Sequence, residues 1–177
     1  IRRGTQCPGE AERTPASPAH APGPVGLTRP TRLSPDDDLS RFACGAPAID
    51  NWLQTRARAS GERGSAVVYV VKDLHRVVAF YTLSASAVDR RRVAVGKLRR
   101  NSPSPIPVLL LGQIGVDGDY QQRGLAAAML RDAMIRAMAI AREVGVQALL
   151  VEAMDESLLP WYRRFGFEAI SAAEPTV

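Results

Sequence analysis

A short polar turn between an apolar stretch and a long amphipathic stretch is the part of the sequence best suited to bind a phosphate. Val108–Val116 (VLLLGQIGV) is almost continuously apolar, and it leads through Asp117–Arg123 and Gly124 into a helical pattern. The first turn of a helix has free N–H groups and the positive end of the helix dipole, so a phosphate or pyrophosphate binds there without a cationic side chain. Gly124 would let the backbone approach such a ligand closely, because it has no Cβ.

An ordinary strand-to-helix connection is the alternative interpretation of the same turn. Neither GxxxxGK followed by Ser or Thr nor GxGxxG is found in the chain, which excludes the common nucleotide-binding loops. The turn by itself therefore leaves both interpretations open.

A cluster of basic side chains is the second feature with a chemical meaning. The chain has a net charge of +5 and a pI near 9.8, and the segment from Asp89 to Arg100 holds six basic residues against one acidic residue. Clustered Arg and Lys contact nucleic-acid phosphates whatever the base sequence. The cluster predicts either a solvated loop or an RNA-binding surface, and its members are Arg90, Arg91, Arg92, Lys97, Arg99 and Arg100.

Other reactive side chains are scarce. The cysteines are Cys7 and Cys44, and the histidines are His20 and His75. A disulfide framework needs more cysteines, and a zinc site needs closely spaced Cys or His pairs. We therefore expect neither a metal nor a Cys–His nucleophile. The chain also has no apolar run of about eighteen residues and no secretory leader, so the expected location is the cytoplasm.

The hydrophobic patterns predict one α/β domain over residues 29–177. Apolar spacing of three or four residues indicates helices at Ala48–Ser60 and Gln122–Val144, Ser34–Asp38 resembles a helix start, and Asp155 could cap a short helix ending at Arg164. Short Val-rich or alternating runs predict strands at Ser65–Lys72, Val77–Ala87, Val108–Val116, Val146–Ala153 and Phe167–Ile170.

Residues 1–28 have a different composition. They contain Pro8, Pro15, Pro18, Pro22 and Pro24 and show no apolar periodicity. Such a segment cannot bury enough surface to offset the entropy of ordering it, so we predict that it is disordered. Because the chain begins with Ile, the segment is also a candidate for sequence outside the native protein.

The turn becomes more specific by comparison with a known family. Gln121–Ala126 (QQRGLA) resembles the Q/R-x-x-G-x-G/A motif of the GNAT N-acetyltransferases, although Gln122 stands where many members have Gly and Ala126 replaces the commoner final Gly. The resemblance implies acetyl-CoA as cosubstrate and a central mixed, mostly antiparallel sheet with a splayed strand pair and flanking helices. The coenzyme-binding residues that it implies are Ile114, Gly115, Val116, Gln121, Gln122, Arg123, Gly124, Leu125 and Ala126.

The second family resemblance concerns a catalytic residue. Trp161–Phe167 (WYRRFGF) is similar to the terminal F-Y-x-x-x-G-F element of the same family. The resemblance implies that Tyr162 is the general acid that protonates the departing thiolate of coenzyme A. A phenol with a pKa near ~10 is chemically suited to that step. We expect Phe165 and Phe167 to be core aromatics only.

A third match indicates a subfamily. Phe42–Gly45 and Ile49–Leu53 resemble the F-x-C-G-x-x-x-L-D-x-W-L signature of acetyltransferase toxins from bacterial toxin–antitoxin pairs, and Arg99–Gly112 is similar to the stretch before their coenzyme-binding strand. That resemblance implies acetylation of the α-amine of aminoacyl-tRNA, arrest of translation, a ribbon-helix-helix antitoxin as partner and a possible homodimer. Cys44 is then a small buried residue.

The residues favour the same substrate for two reasons. No His or acid suggests itself as a base, and an α-amine with a pKa near ~8 needs less help to become neutral than a lysine amine near ~10.4. The basic cluster suits RNA, whereas a polycationic aminoglycoside would suit an acidic site. A small-molecule or protein N-acetyltransferase, or a non-catalytic GNAT-like module that binds RNA or a partner, stays an alternative.

Overall fold

One mixed sheet with helices on both faces forms the framework of the computed structural model, which describes residues 5–6, 26–94 and 96–170. The strands are β1 (Thr5–Gln6), β2 (Thr31–Arg32), β3 (Val67–Asp73), β4 (Arg76–Val88), β5 (Ile106–Val116) and β6 (Ala148–Val151). The helices are α1 (Pro47–Glu62), α2 (Gly96–Arg99), α3 (Leu125–Val144) and α4 (Leu159–Arg163).

The sheet is antiparallel from β2 to β5 and parallel at its last edge. β5 pairs with β4 along most of its length, and its other edge is shared by two parallel partners. β6 lies beside Val108–Leu111, and β1 lies beside Gln113–Ile114. β6 pairs with β5 only as far as Leu111, and the predicted α/β fold with a mixed, mostly antiparallel sheet is confirmed.

Two separate apolar clusters hold the long helices on the sheet. The α1 cluster packs Ile49, Leu53 and Ala57 against β3, β4 and Phe42, and the α3 cluster packs Met129 and Leu130 against the other face. β4 contributes to both clusters, with Phe80 in the α1 cluster and Ala79 and Tyr81 in the α3 cluster, as expected for a strand buried on both sides. The apolar residues whose helical spacing predicted α1 and α3 are thus the residues that these helices pack against the sheet.

The segment Ser34–Asp38 is not a helix, and the prediction of a helix start there was wrong. Its acidic residues hold a turn instead. The Asp37 carboxylate accepts a hydrogen bond from the Ser34 N–H at 2.7 Å and forms an ion pair with Lys72 at 2.7 Å. Arg58 of α1 donates to the carbonyls of Ser34 and Asp37. Long-range partners for these groups outweigh a local capping pattern.

Both ends of the described chain differ from the sequence prediction. Phe167–Ile170 forms no strand, so that element was predicted wrongly. Thr5–Gln6 pairs with β5, and Thr28 pairs with Lys72 of β3 through both its N–H and its hydroxyl. The predicted disorder of residues 1–28 stays a prediction, because 1–4 and 7–25 lie outside the described residues. No described helix is long and apolar enough to cross a membrane.

Candidate active site

The edge of β5 beyond Leu111 is shaped by a bulge. Thr82 of β4 stands opposite two residues, Gly112 and Gln113, and its buried hydroxyl accepts the Gln113 N–H at 2.9 Å. A bulge of this kind leaves an extra residue unpaired and bends the strand. Beyond Leu111 this edge of β5 no longer pairs with β6, and Gln113 and Ile114 pair there with Thr5–Gln6 instead.

The turn after β5 presents the beginning of α3. Gln122 and Gly124 both have left-handed backbone conformations, with φ of 60° and 75°. The helix has no side-chain cap, and Ala128 N–H makes the first of its hydrogen bonds, to the carbonyl of Gly124. The N–H groups of Leu125, Ala126 and Ala127 thus precede the helical ladder, as an anion site at a long helix requires.

Side chains that the sequence analysis did not single out hold this turn in place. Asp117 is buried, forms an ion pair with Arg76 at 2.9 Å and accepts the Ala43 N–H at 3.2 Å. The Tyr120 hydroxyl donates to Asp73 at 2.6 Å, a bond that raises the pKa of this phenol. Sequence alone gave no signal for these partners, because each pair is more than forty positions apart.

The two glutamines of the turn have different structural roles. Gln121 donates its side-chain amide to the carbonyls of Cys44 and Val116 at 2.9 and 3.0 Å. Gln122 is exposed and adopts the left-handed conformation that favours glycine. Gln121 therefore links the coenzyme turn to the segment before α1, whereas Gln122 is strained.

We expect glycine substitution at these neighbouring positions to change stability in opposite directions. Gln122→Gly relieves a left-handed L-residue and should raise the free energy of unfolding by up to about 1 kcal/mol. Gln121→Gly removes two hydrogen bonds and should lower it by about 2 kcal/mol. Urea unfolding of both variants measures the difference, and a change of the same sign in both would contradict these roles.

Tyr162 lies in the same buried cluster as the strand that the family motif assigns to the coenzyme. Only 3% of Tyr162 is exposed, and the cluster includes Ile114 and Val116 of β5. The ring packs edge-on against Trp161 at 5.0 Å and Phe167 at 5.6 Å and borders a cavity of about 110 Å³. Burial raises the pKa of the phenol above its usual range, so the hydroxyl keeps its proton at neutral pH.

The basic cluster is a folded feature of the β4–β5 connection. Arg90–Arg92 forms a 3₁₀ turn capped by Asp89, whose pKa is lowered first of all by its hydrogen bond to the Arg91 side chain. Arg90 donates to the Ser102 carbonyl at 3.2 Å. The loop is anchored to the sheet by buried Val93, and the exposed members of the cluster are Arg90, Arg91, Arg92, Arg99 and Arg100. Lys97 lies in α2, and its side chain is outside the described part.

Two further expectations concern thiols and metals. Cys44 is buried, as predicted. Its N–H donates to Asp50 at 2.8 Å, so the residue belongs to the packed start of α1. Within residues 26–94 and 96–170, no three His, Cys, Asp or Glu side chains are grouped as a metal site requires.

Comparison with known proteins identifies the family. Residues 64–169 match the model of the acetyltransferase (GNAT) domain, and this range includes β3 to α4 and the whole coenzyme turn. The chain belongs to the GNAT family. It is accordingly an N-acetyltransferase, and acetyl-CoA is its cosubstrate.

Relatives of this GNAT domain include toxins. A tRNA-acetylating toxin of Mycobacterium tuberculosis is 39% identical over 150 residues, which are 85% of this chain and 89% of the toxin. The structure of AtaT complexed with acetyl-methionyl-tRNAfMet superimposes with a TM-score of 0.77 at 26% identity, over 84% of this chain and 91% of AtaT. A tyrosine-to-phenylalanine mutant of AtaT, bound to acetyl-CoA and the C-terminus of the antitoxin AtaR, gives a TM-score of 0.70 at 27% identity over 83% of this chain and 87% of AtaT.

The GNAT cosubstrate fits the observed site. The open edge of β5 accepts an extended backbone, as Thr5–Gln6 shows, and the two amides of a pantetheine arm could pair there in the same way. A Cβ at Gly124 would meet no atom of the described residues within 4 Å other than its chain neighbours, so there is room for a pyrophosphate beside this residue. The structure thus brings together the predicted residues of β5 and the turn, and it places the basic cluster at the other end of the strand.

Proposed function

We propose that this GNAT enzyme acetylates the α-amine of aminoacyl-tRNA and acts as the toxin of a toxin–antitoxin pair by blocking translation. The observation that supports it most is the placement of two surfaces on one strand. The coenzyme edge lies at the end of β5, and an exposed basic turn is anchored at its beginning. The similarity to a tRNA-acetylating toxin over most of the chain supports the same substrate.

Main-chain groups would hold the cosubstrate. The N–H groups of Arg123 to Ala127 would bind the pyrophosphate, because the start of a 20-residue helix favours negative charge. The backbone of Ile114–Val116 would pair with the pantetheine arm. When bound, acetyl-CoA supplies an acetyl group activated as a thioester. Asp117, Tyr120 and Gln121 would keep the turn in the binding conformation before the ligand arrives.

Tyr162 would act as the general acid. Its buried phenol remains protonated through neutral and mildly alkaline pH, so a proton is available for the departing sulfur. A phenol with a raised pKa gives up its proton only to a comparably strong base. A thiolate in the same apolar surroundings meets that condition, because burial raises the pKa of a thiol as well.

The acceptor needs little activation by the enzyme. An α-amine has a pKa near ~8, so a sizeable fraction is neutral at physiological pH. Esterification to tRNA withdraws electrons and lowers this value further. Positioning the amine is then the main requirement, and it can account for much of the rate.

The proposed substrate has consequences for partners and location. A toxin that acts on charged tRNA works in the cytoplasm and requires an antitoxin in the same cell. AtaT binds the C-terminus of its antitoxin AtaR, and we propose an equivalent antitoxin for this chain. A ribbon-helix-helix fold for that antitoxin and a homodimer of the toxin stay predictions.

One experiment tests the proposed reaction directly. The purified chain is incubated with radiolabelled acetyl-CoA and total charged tRNA, and the labelled aminoacyl group is released and identified. We expect label on the α-amine of one or a few amino acids. Label on the RNA bases, on protein lysines or on nothing would overturn the proposal.

Reversing the charge of the basic turn should weaken tRNA binding without affecting the cosubstrate. Changing Arg90, Arg91 and Arg92 to Glu removes up to three phosphate contacts, so KM for aminoacyl-tRNA should rise about tenfold or more. The slope of log KM against log salt should flatten by up to about three units. Steady-state kinetics at several salt concentrations, with calorimetry for acetyl-CoA, measures both effects.

The matched control for this variant reverses the charge of two exposed arginines elsewhere on the sheet. Arg29 and Arg32 are exposed and lie before and within β2, at the far edge of the sheet. The double change to Glu should leave KM and its salt slope close to wild type. If the Arg90–Arg92 variant kept its rate and salt slope, or if the control lost as much, the basic turn would not be the RNA-binding surface.

A further inference from the structure

A strip of small polar side chains, buried at Thr82 and half-buried at Ser84, lies on the face of the sheet that carries α1. Phe80 of β4 belongs to the α1 cluster, and Val88 belongs to a smaller cluster under the basic loop. Between them, the alternation of β4 brings Thr82 and Ser84 to this face. The strip therefore lies between two apolar clusters, one under α1 and the other under the basic loop.

Gln113 faces the same strip. Leu111 and Ile114 both belong to the α3 cluster on the opposite face, so the pleat is interrupted between them. In a bulge, the two residues opposite a single partner point to the partner's side, which here is the side of Thr82. A Cβ on Gly112 would lie 3.1 Å from the Thr82 hydroxyl, in agreement with this direction.

The side chain of Gln113 has a polar atom with no assigned partner. Its carbonyl oxygen Oε1 is buried and accepts no hydrogen bond from the described residues. An amide oxygen in that situation is costly, and such groups normally find a partner. The backbone N–H of the same residue is bound to Thr82 at 2.9 Å, which fixes the strand from which the side chain extends.

We propose that Gln113 Oε1 binds the acceptor amine, and this inference rests on the proposed function. The amine donates one N–H to the carboxamide, and its lone pair forms the new bond to the thioester carbonyl carbon as the carbon–sulfur bond breaks. The nitrogen releases one proton to solvent, the departing sulfur receives one from Tyr162, and the Tyr162 phenolate takes a proton back from solvent. A neutral acceptor orients the amine without stabilising its ammonium form, which a carboxylate would do.

Two substitutions of similar size separate this role from a structural one. Gln113→Met keeps the length of the side chain but removes the acceptor, and it should lower kcat/KM for aminoacyl-tRNA about tenfold. Its Kd for acetyl-CoA and its unfolding midpoint should stay near wild type. Gln113→Glu places a carboxylate at the bound amine, so the acidic limb of the kcat profile should move upward by about one pH unit.

Wild type measured in the same assay distinguishes the two possible failures. A wild type that acetylates no aminoacyl-tRNA would overturn the proposed function, and the role of Gln113 in it. An active wild type matched by Gln113→Met within twofold, with no shift of the pH profile in Gln113→Glu, would overturn only the inference. A loss of acetyl-CoA binding in parallel with activity would likewise refute a role specific to the amine.

Discussion

Tyr162→Phe is expected to lower kcat for acetyl transfer by about 10²–10⁴-fold, because it removes the proton donor for the departing sulfur. The change deletes one oxygen from a ring that is 3% exposed and packed by Trp161 and Phe167. The aromatic packing is retained, so the free energy of unfolding should change by at most about 1 kcal/mol. Single-turnover acetylation of aminoacyl-tRNA, with calorimetry for acetyl-CoA, separates lost chemistry from lost binding.

Tyr81→Phe is the matched control for this variant. Tyr81 is also fully buried, and its hydroxyl donates to Asp132 of α3 at 2.5 Å. Loss of that hydroxyl should destabilise the fold by about 1–3 kcal/mol with little change in turnover. If Tyr162→Phe behaved in the same way, with reduced stability and an intact rate, Tyr162 would be a core residue.

The pH profile offers a second test of Tyr162. Burial raises the pKa of its phenol above the ordinary value of about 10. The phenol therefore stays protonated at pH values up to about 10 and well above. The wild-type rate should therefore not fall between about pH 8 and 10 through loss of the phenol proton. Any fall in that range should also be present in the Phe variant. A decline seen only in the wild type would mean that the phenol loses its proton in this range, as a solvent-exposed tyrosine does.

Amphipathic periods and short apolar runs were sufficient to predict most of the framework. They placed α1, α3 and the strands β3 to β6, because burial on a sheet face selects the spacing of apolar residues. The prediction was wrong for Ser34–Asp38, where the acids bind Lys72 and backbone groups of the same turn. A local capping pattern does not reveal that the partner of Asp37 lies 35 positions away.

The site was only partly accessible to the same reasoning. The turn Gln121–Ala126 could be predicted, because a glycine just before an amphipathic helical pattern is a local feature of the sequence. The bulge at Gly112 and Gln113 could not, since it depends on the register between β4 and β5. The buried Asp117 and the orphan oxygen of Gln113 depend in turn on that register, so the parts of the site that position its groups emerged only from the fold.

Gly124→Ala is expected to raise Kd for acetyl-CoA by about 10–100-fold, through the loss of one or more hydrogen bonds from main-chain N–H groups to the pyrophosphate. Gly124 has φ of 75°, and an added Cβ would meet no protein atom within 4 Å. The methyl group therefore clashes with none of the described residues, and the loss of affinity would come from its clash with the proposed pyrophosphate. Isothermal titration calorimetry measures the change.

Gly145 at the other end of α3 makes the comparison specific. It has φ of 68°, and an added methyl group would have equally free space around it, so Gly145→Ala carries the same backbone strain. Each variant should lose about 1–2 kcal/mol of stability, since an L-residue disfavours the left-handed conformation. Only the variant at the helix start should lose affinity for the cosubstrate. Equal affinity in both variants would mean that the anion site formed by the N–H groups of α3 is not where acetyl-CoA binds.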